Sequence, residues 1–161
     1  MADRDPEAVR QFVERFASSL TDAGFQRMHA RVFAALHGTD SGRLTSAEIA
    51  ESLQVSPAAV SGAVRYLIQF NLIRRERAPG SRRDHYVVEN DSWYEASLNR
   101  DEVISRWQTS AKEGIEVLGA DTPAGQRMAE SLAFFEFIRE ELNEIIAKWQ
   151  KVKSERLPPP A

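Results

Sequence analysis

Residues 44 to 71 read LTSAEIAESLQVSPAAVSGAVRYLIQFN, and this stretch decides the fold. Its first part predicts a helix from Thr45 or Ser46 to about Leu53. Ala47, Ile49, Ala50 and Leu53 return at helical spacing, and Glu48 stands close to capping-box distance from the opening hydroxyl. Gln54, Val55 and Ser56 break the pattern. Ser56 and Pro57 then open a second helix, with a hydroxyl acceptor followed by a residue whose missing N–H does no harm in a first turn. Val60, Ala63, Val64, Leu67 and Ile68 form its inward side, whereas Ala58, Ser61, Gly62 and Arg65 lie together on the other. A side so bare of bulk is a poor choice for a surface that meets only water, and it suits close approach to another body. Two helices joined by a three-residue corner predict a helix-turn-helix whose second helix is the recognition helix. An ordinary bundle corner shows the same spacing, so the neighbouring segments decide.

Leu72 to Arg77 and His85 to Glu89 flank the turn composition APGS and carry Ile73, Tyr86, Val87 and Val88, which predicts a two-stranded hairpin. Arg74, Arg75 and Arg77 on the way up, with Arg82 and Arg83 on the way down, make it basic. Residues 65 to 85 hold six arginines against Glu76 and Asp84, whereas residues 86 to 161 hold fourteen acids and nine bases. In a chain of net charge -3 the positive charge is therefore local, as in a nucleic-acid footprint and unlike a protein that coats nucleic acid by bulk charge. The plainer account of such a ribbon is an edge strand blunted by charge. Beside the bare helix, a basic wing is the stronger reading. Small residues would let the backbone enter a major groove about 12 Å wide, with Arg65 one turn later reaching a phosphate or a guanine edge.

The rest of the chain is helical. Asp5-Pro6 starts a helix whose apolar face, Val9, Phe12, Val13, Phe16 and Leu20, runs to about Gly24. A shorter helix through Met28, Val32, Ala35 and Leu36 ends near Gly38, before the polar loop HGTDSG. Ser92 to Glu95 has a capping-box pattern and opens a long helix through Ile104, Trp107, Ala111 and Leu118, closed by Gly119. Thr122-Pro123 starts the last helix, which continues past Trp149 to the PPPA tail. Phe134, Phe135, Phe137 and Trp149 make it more apolar around its circumference than a solvent-facing helix tolerates, so helix-helix burial is expected.

A chain of 161 residues fits one domain, and 42% hydrophobic with 28% charged residues is ordinary for a globular protein. No apolar run approaches the ~18 residues of a membrane span, and MADRDPEAVRQ has no signal-peptide core, so cytoplasmic residence is expected. The absence of cysteine excludes a disulfide framework, a thiol nucleophile and a thiolate metal site. His29 and His37 stand eight apart with no acid at ligand spacing, so these and His85 are expected at the surface or an interface. No phosphate-binding loop, activated nucleophile or carboxylate pair is present, and neither enzyme activity nor a cofactor or metal is expected.

GFQRMHARVFAALHG at 24 to 38, LTSAEIAESLQVSPAAVSGAVRYL at 44 to 67 and NLIRRERAPGSRRDHYVVENDSW at 71 to 93 resemble the MarR-type winged-helix transcription regulators, within them the GbsR-like branch. The resemblance covers about residues 20 to 95, and the two long C-terminal helices agree in pattern only. It implies a mainly α fold, a winged helix-turn-helix with a two-stranded β wing and long N- and C-terminal dimerisation helices. The expected division is an N-terminal dimerisation helix (1–24), the DNA-binding domain (25–90), a C-terminal dimerisation region (91–157) and a tail (158–161).

The function so implied is that of a sequence-specific regulator of double-stranded operator DNA, a homodimeric repressor released by a small-molecule effector. The rival is a winged helix that docks an acidic partner protein. Thr45, Ser56, Pro57, Ala58, Ala59, Ser61, Gly62 and Arg65 are the expected contacts of the helix-turn-helix; Arg75, Arg77, Ser81, Arg82 and Arg83 are those of the wing. The family often shows an Asp-x-Arg wing signature; here Ser81 takes the acid's place and Arg83 the arginine's. Phe33, Trp93, Tyr94 and Trp107 are the candidates for an effector pocket, because pockets at such junctions favour aromatic linings.

Overall fold

The computed structural model describes residues 4–77, 83–89 and 91–157, apart from the side chains of 95–99. The chain divides into two compact units, Met1–Trp93 and Tyr94–Ala161.

In the first unit the order is α1 (Pro6–Asp22), α2 (Arg27–His37), β1 (Arg43–Thr45), α3 (Ser46–Leu53), α4 (Pro57–Gln69), β2 (Arg74–Arg77) and β3 (Asp84–Val87). Asp5 caps α1 by accepting the Glu7 N–H at 2.9 Å. Helix α2 is the centre. His29, Ala30 and Val32 through Leu36 are all buried, so it is apolar on nearly every side, and α1, α3 and α4 pack around it. Phe33, Leu36, Ile49, Leu67, Val32 and Val60 are the largest fully buried side chains. Each contributes roughly 1.5–3 kcal/mol through burial. Arg31 leaves this centre through a polar seam, donating to Glu14 of α1 at 2.6 and 2.9 Å and to the Leu53 carbonyl at 3.1 Å. It thereby satisfies one of the carbonyls that the end of α3 leaves unpaired.

The helix-turn-helix corner forms where expected. Thr45 and Glu48 make a reciprocal capping box at the start of α3. Gln54 ends α3 in the left-handed region, φ 53°, and this turns the chain sharply without a glycine. Ser56 then caps α4 by accepting the Ala59 N–H at 3.3 Å.

The expected two-stranded wing is part of a three-stranded antiparallel sheet ordered β1-β3-β2. Arg43 and Arg74 both stand opposite Val87, and Arg77 stands opposite Asp84. Strand β1 lies at the end of a stretch that reads as loop because it is only three residues long. Its cause is Gly42, whose φ of +59° and closeness to the Val88 carbonyl, 2.9 Å from where a Cβ would lie, let the chain dock there. The Val88 N–H donates to the Gly42 carbonyl at 2.8 Å. The wing strands are shorter than expected, beginning at Arg74 and ending at Val87, while the APGS turn lies outside the described residues.

The second unit is a helical hairpin. Helix α5 (Ser92–Leu118) begins in the last two residues of the first unit, and α6 is Pro123–Arg156. The expected capping box at Ser92 does not form through its hydroxyl: Ser92 is the first helical residue, and its Oγ is buried without a hydrogen-bond partner. Gly119 ends α5 at φ +86°, and Thr122 caps α6 by accepting the Gly125 N–H at 3.0 Å. The helices run antiparallel, since Asp101 meets Arg139, Trp107 meets Phe135 and Gly114 meets Met128. Among the described residues of this unit, Ile104, Ala111 and Gly125 are the buried ones.

Candidate nucleic-acid interface

Helix α4 divides as its sequence predicts. Val60, Ala63, Val64 and Leu67 are buried, whereas Ser56, Pro57, Ala58, Ser61, Gly62 and Arg65 are exposed and Ala59 is half-buried. A Cβ added to Gly62 would meet nothing within 4 Å, so no contact in the fold explains the missing side chain. Gly in a helix interior costs about 0.5–1 kcal/mol relative to Ala. Arg65 is the sole charged residue of α4 and forms no ion pair or hydrogen bond within the described structure. Its guanidinium is therefore an uncommitted cation on a helix that carries no acid, about one turn beyond the bare Ser61 and Gly62. Thr45 differs from these residues. It is half-buried, and its hydroxyl donates to Glu48 at 2.7 Å while accepting the Glu48 N–H at 3.3 Å.

The wing is less free than its arginine count suggests. On one face of the ribbon Arg74 pairs with Glu76 at 2.7 Å and with Glu89 at 2.6 Å, and Arg43 of β1 approaches Glu76 at 3.7 Å. On the other, Arg77 donates from Nε to Asp84 at 2.8 Å, and Arg75 lies 3.7 Å from the second Asp84 oxygen. The hydrogen bond from Arg77, followed by the charges of Arg77, Arg75 and His85, holds the Asp84 carboxyl below the usual carboxylate range. The exposed Arg83 lies near Glu48, whose carboxyl is held low first by the Thr45 N–H and then, among weaker influences, by the charges of His85 and Arg83. Ser81 and Arg82 lie outside the described residues.

Residues 23–84 match a family model described as MarR family, and residues 91–152 match a second, described as an MmpR5-like MarR family transcriptional regulator. Two models of one family thus match successive parts that together make up most of the chain. The chain belongs to the MarR family. A solved structure described as a transcriptional regulator is 23% identical, with a TM-score of 0.81 over 89% of this chain and 99% of its own. It has the same fold. The YusO protein from Bacillus subtilis is 25% identical over 63% of this chain and 74% of its own, with a TM-score of 0.40. MepR, a transcription regulator of the Staphylococcus aureus multidrug efflux pump MepA, is 17% identical over 92% and 90%, with a TM-score of 0.41. No curated protein matches the chain.

In this MarR-family chain, as in the family, the helix-turn-helix and wing belong to a DNA-binding transcriptional regulator. No helix among the described residues is long and apolar enough to cross a membrane. None of the described His, Asp and Glu residues gather in a group of three that could hold a metal ion.

The histidines correct the sequence expectation. His29 is buried, not on the surface, and stacks on Tyr66 of α4 with ring centroids 4.0 Å apart. His37 is half-buried between Phe16 and Phe33, and its Nδ1–H donates to the Phe33 carbonyl at 3.1 Å. Burial lowers the pKa of both imidazoles, and for His37 that hydrogen bond opposes the shift. These two rings fill the core where sequence showed only isolated polar letters on apolar helices.

The four aromatic candidates for an effector pocket fall in two groups. Phe33 and Trp93 meet edge-to-face at 5.1 Å within the first unit, with Trp93 still 46% exposed. Tyr94 and Trp107 belong to the second unit, where Trp107, Ala111, Met128 and Phe135 line an apolar hollow of about 400 Å³. The partners that sequence reading missed are Arg31, Arg43, Glu76 and Asp84. Asp84 was visible only as an acid in a basic run, and nothing in the sequence paired it with Arg77.

Proposed function

We propose that this chain is a homodimeric repressor that reads pseudo-palindromic operator DNA with α4 and grips the flanking backbone with the wing. The carrying observation is the outer face of α4. Ala58, Ser61 and Gly62 leave it bare although the fold does not require it, and Arg65 is its single, unpaired charge. Such a face can bring backbone to base edges and a guanidinium to guanine or phosphate. Arg75, Arg77, Ser81, Arg82 and Arg83 serve the wing in this reading, and Ser56, Pro57, Ala59 and Thr45 border the groove contact.

Dimerisation is supported by the second unit, in which Trp107, Phe134, Phe137, Ile145 and Trp149 are exposed on a hairpin too thin to cover them. Release by a small amphipathic effector belongs to the same reading, supported by the half-exposed Trp93 against Phe33. Placement in the GbsR-like branch and cytoplasmic residence rest on the sequence motifs.

Fluorescence-anisotropy titration of duplex DNA tests the central claim. Affinity should fall steeply with salt, as phosphate neutralisation requires. Arg65→Ala should relax discrimination at one base pair by about 1 to 3 kcal/mol. If Arg65→Ala weakens operator and scrambled duplex equally, Arg65 is only a phosphate clamp. If wild type binds an acidic protein surface and no duplex, the rival docking role replaces this one.

A further inference from the structure

The wing arginines are not equivalent, and the sheet register explains why. Arg74 is held between Glu76 and Glu89 on one face of the ribbon, in the network that reaches Arg43. Arg75 and Arg77 stand on the opposite face and share one carboxylate, Asp84. Arg77 and Asp84 are register partners, so the strand ladder sets the carboxylate directly across from the guanidinium. The two partners also differ in exposure. The Asp84 side chain is 23% exposed and anchored in the ribbon, whereas those of Arg75 and Arg77 are 62% and 63% exposed. Asp84 takes the Nε–H of Arg77, and the terminal nitrogens make no other hydrogen bond among the described residues.

We propose that Asp84 is a positioning residue of the wing, holding Arg77 by its inner nitrogen so that the outer donors of the guanidinium are aimed at a phosphate. A guanidinium is a planar fork with five N–H donors, and fixing one edge orients the others. A free arginine would lose side-chain entropy on meeting DNA; an arginine already held loses less. One carboxylate facing two guanidiniums leaves this face of the stem positive, so Asp84 orients without neutralising it. The inference rests on the DNA-binding reading.

The sign of one measurement separates positioning from mere charge cancellation. If Asp84 only cancels charge, Asp84→Asn makes the wing more positive and must tighten DNA binding. If Asp84 positions Arg77, the same change weakens operator binding, by about two- to fivefold given the size of exposed ion-pair couplings. Asp84→Glu, which keeps the carboxylate, should recover at least part of the loss. Arg77→Gln should weaken binding and lower the salt slope by about 1. On the Arg77→Gln background, Asp84→Asn should cause no further loss, since the residue it positions is gone.

Anisotropy titrations at several salt concentrations read all four variants, with thermal melts confirming that each folds. Should Asp84→Asn misfold, Asp84→Glu and Arg77→Gln carry the comparison, and equal losses in both overturn the positioning role. Tighter binding by Asp84→Asn, or an equal loss with and without Arg77, overturns it as well, while wild-type binding leaves the DNA-binding reading intact. If wild type binds no duplex at low salt, both fall together.

Discussion

Gly62 carries the sharpest conflict between stability and use in the molecule. It sits inside α4, where Ala is favoured by about 1 kcal/mol, and an added methyl would meet nothing in the fold. Gly62→Ala should therefore raise the melting temperature by about 2–4 °C. If α4 enters a major groove, the same methyl stands where backbone must approach base edges. It should then weaken operator binding by about tenfold, within the range of overpacking costs. Calorimetry and anisotropy on one variant check both halves, and unchanged affinity in a stabilised protein would remove Gly62 from the proposed contact face. The bareness of this face was legible in sequence because helical spacing alone sorts residues onto sides. The charge state of the wing was not. Arg74, Arg75 and Arg77 read simply as cations that make the ribbon basic, with Arg75 and Arg77 as expected contacts, and only the β2–β3 register shows which acid each one meets.

Among the elements, the α5–α6 hairpin depends on one close approach. A Cβ on Gly125 would lie 2.0 Å from the Gly119 carbonyl oxygen and 2.7 Å from its carbon, both backbone atoms that no rotamer change can move. Gly125→Ala should force the corner apart and cost more than 3 kcal/mol, well beyond the usual ~1 kcal/mol effect of a point change. Chemical denaturation measures that loss; far-UV circular dichroism shows whether the helices survive as the corner shifts. If the variant melts like wild type, the corner is looser than this geometry. Sequence placed both helices of this hairpin, since Gly119 and Thr122-Pro123 are local stop and start signals. It did not show that Gly125 is obligatory, because glycine in a first helical turn looks merely permissive until its neighbour's carbonyl is located. The short strand β1 was missed for a related reason: three residues carry too little periodicity to be read, and β1 exists through its pairing with β3.

At the scale of the whole molecule, the second unit cannot be its own core. With Phe134, Phe137 and Ile145 each more than half exposed, it presents the apolar surface that the proposed dimer would cover. Sedimentation at micromolar concentration should give a dimer, which would present two copies of α4 about 34 to 36 Å apart to successive major grooves. A monomer that binds a long duplex one to one would contradict it. What the sequence determined by itself was everything whose energy is spent within a few residues. The caps at Asp5, Thr45, Ser56 and Thr122, the helical periods and the break at Gln54 are of this kind, and together they specify a helix-turn-helix between longer helices. What only the tertiary structure decided were pairings between residues distant along the chain. His29 is buried because Tyr66 covers it, Arg31 is held by Glu14 and Leu53, β1 exists because β3 accepts it, and Asp84 faces Arg77 because of strand register. Such contacts depend on the packing of the whole unit, and a one-residue slip in register would exchange every partner on the sheet.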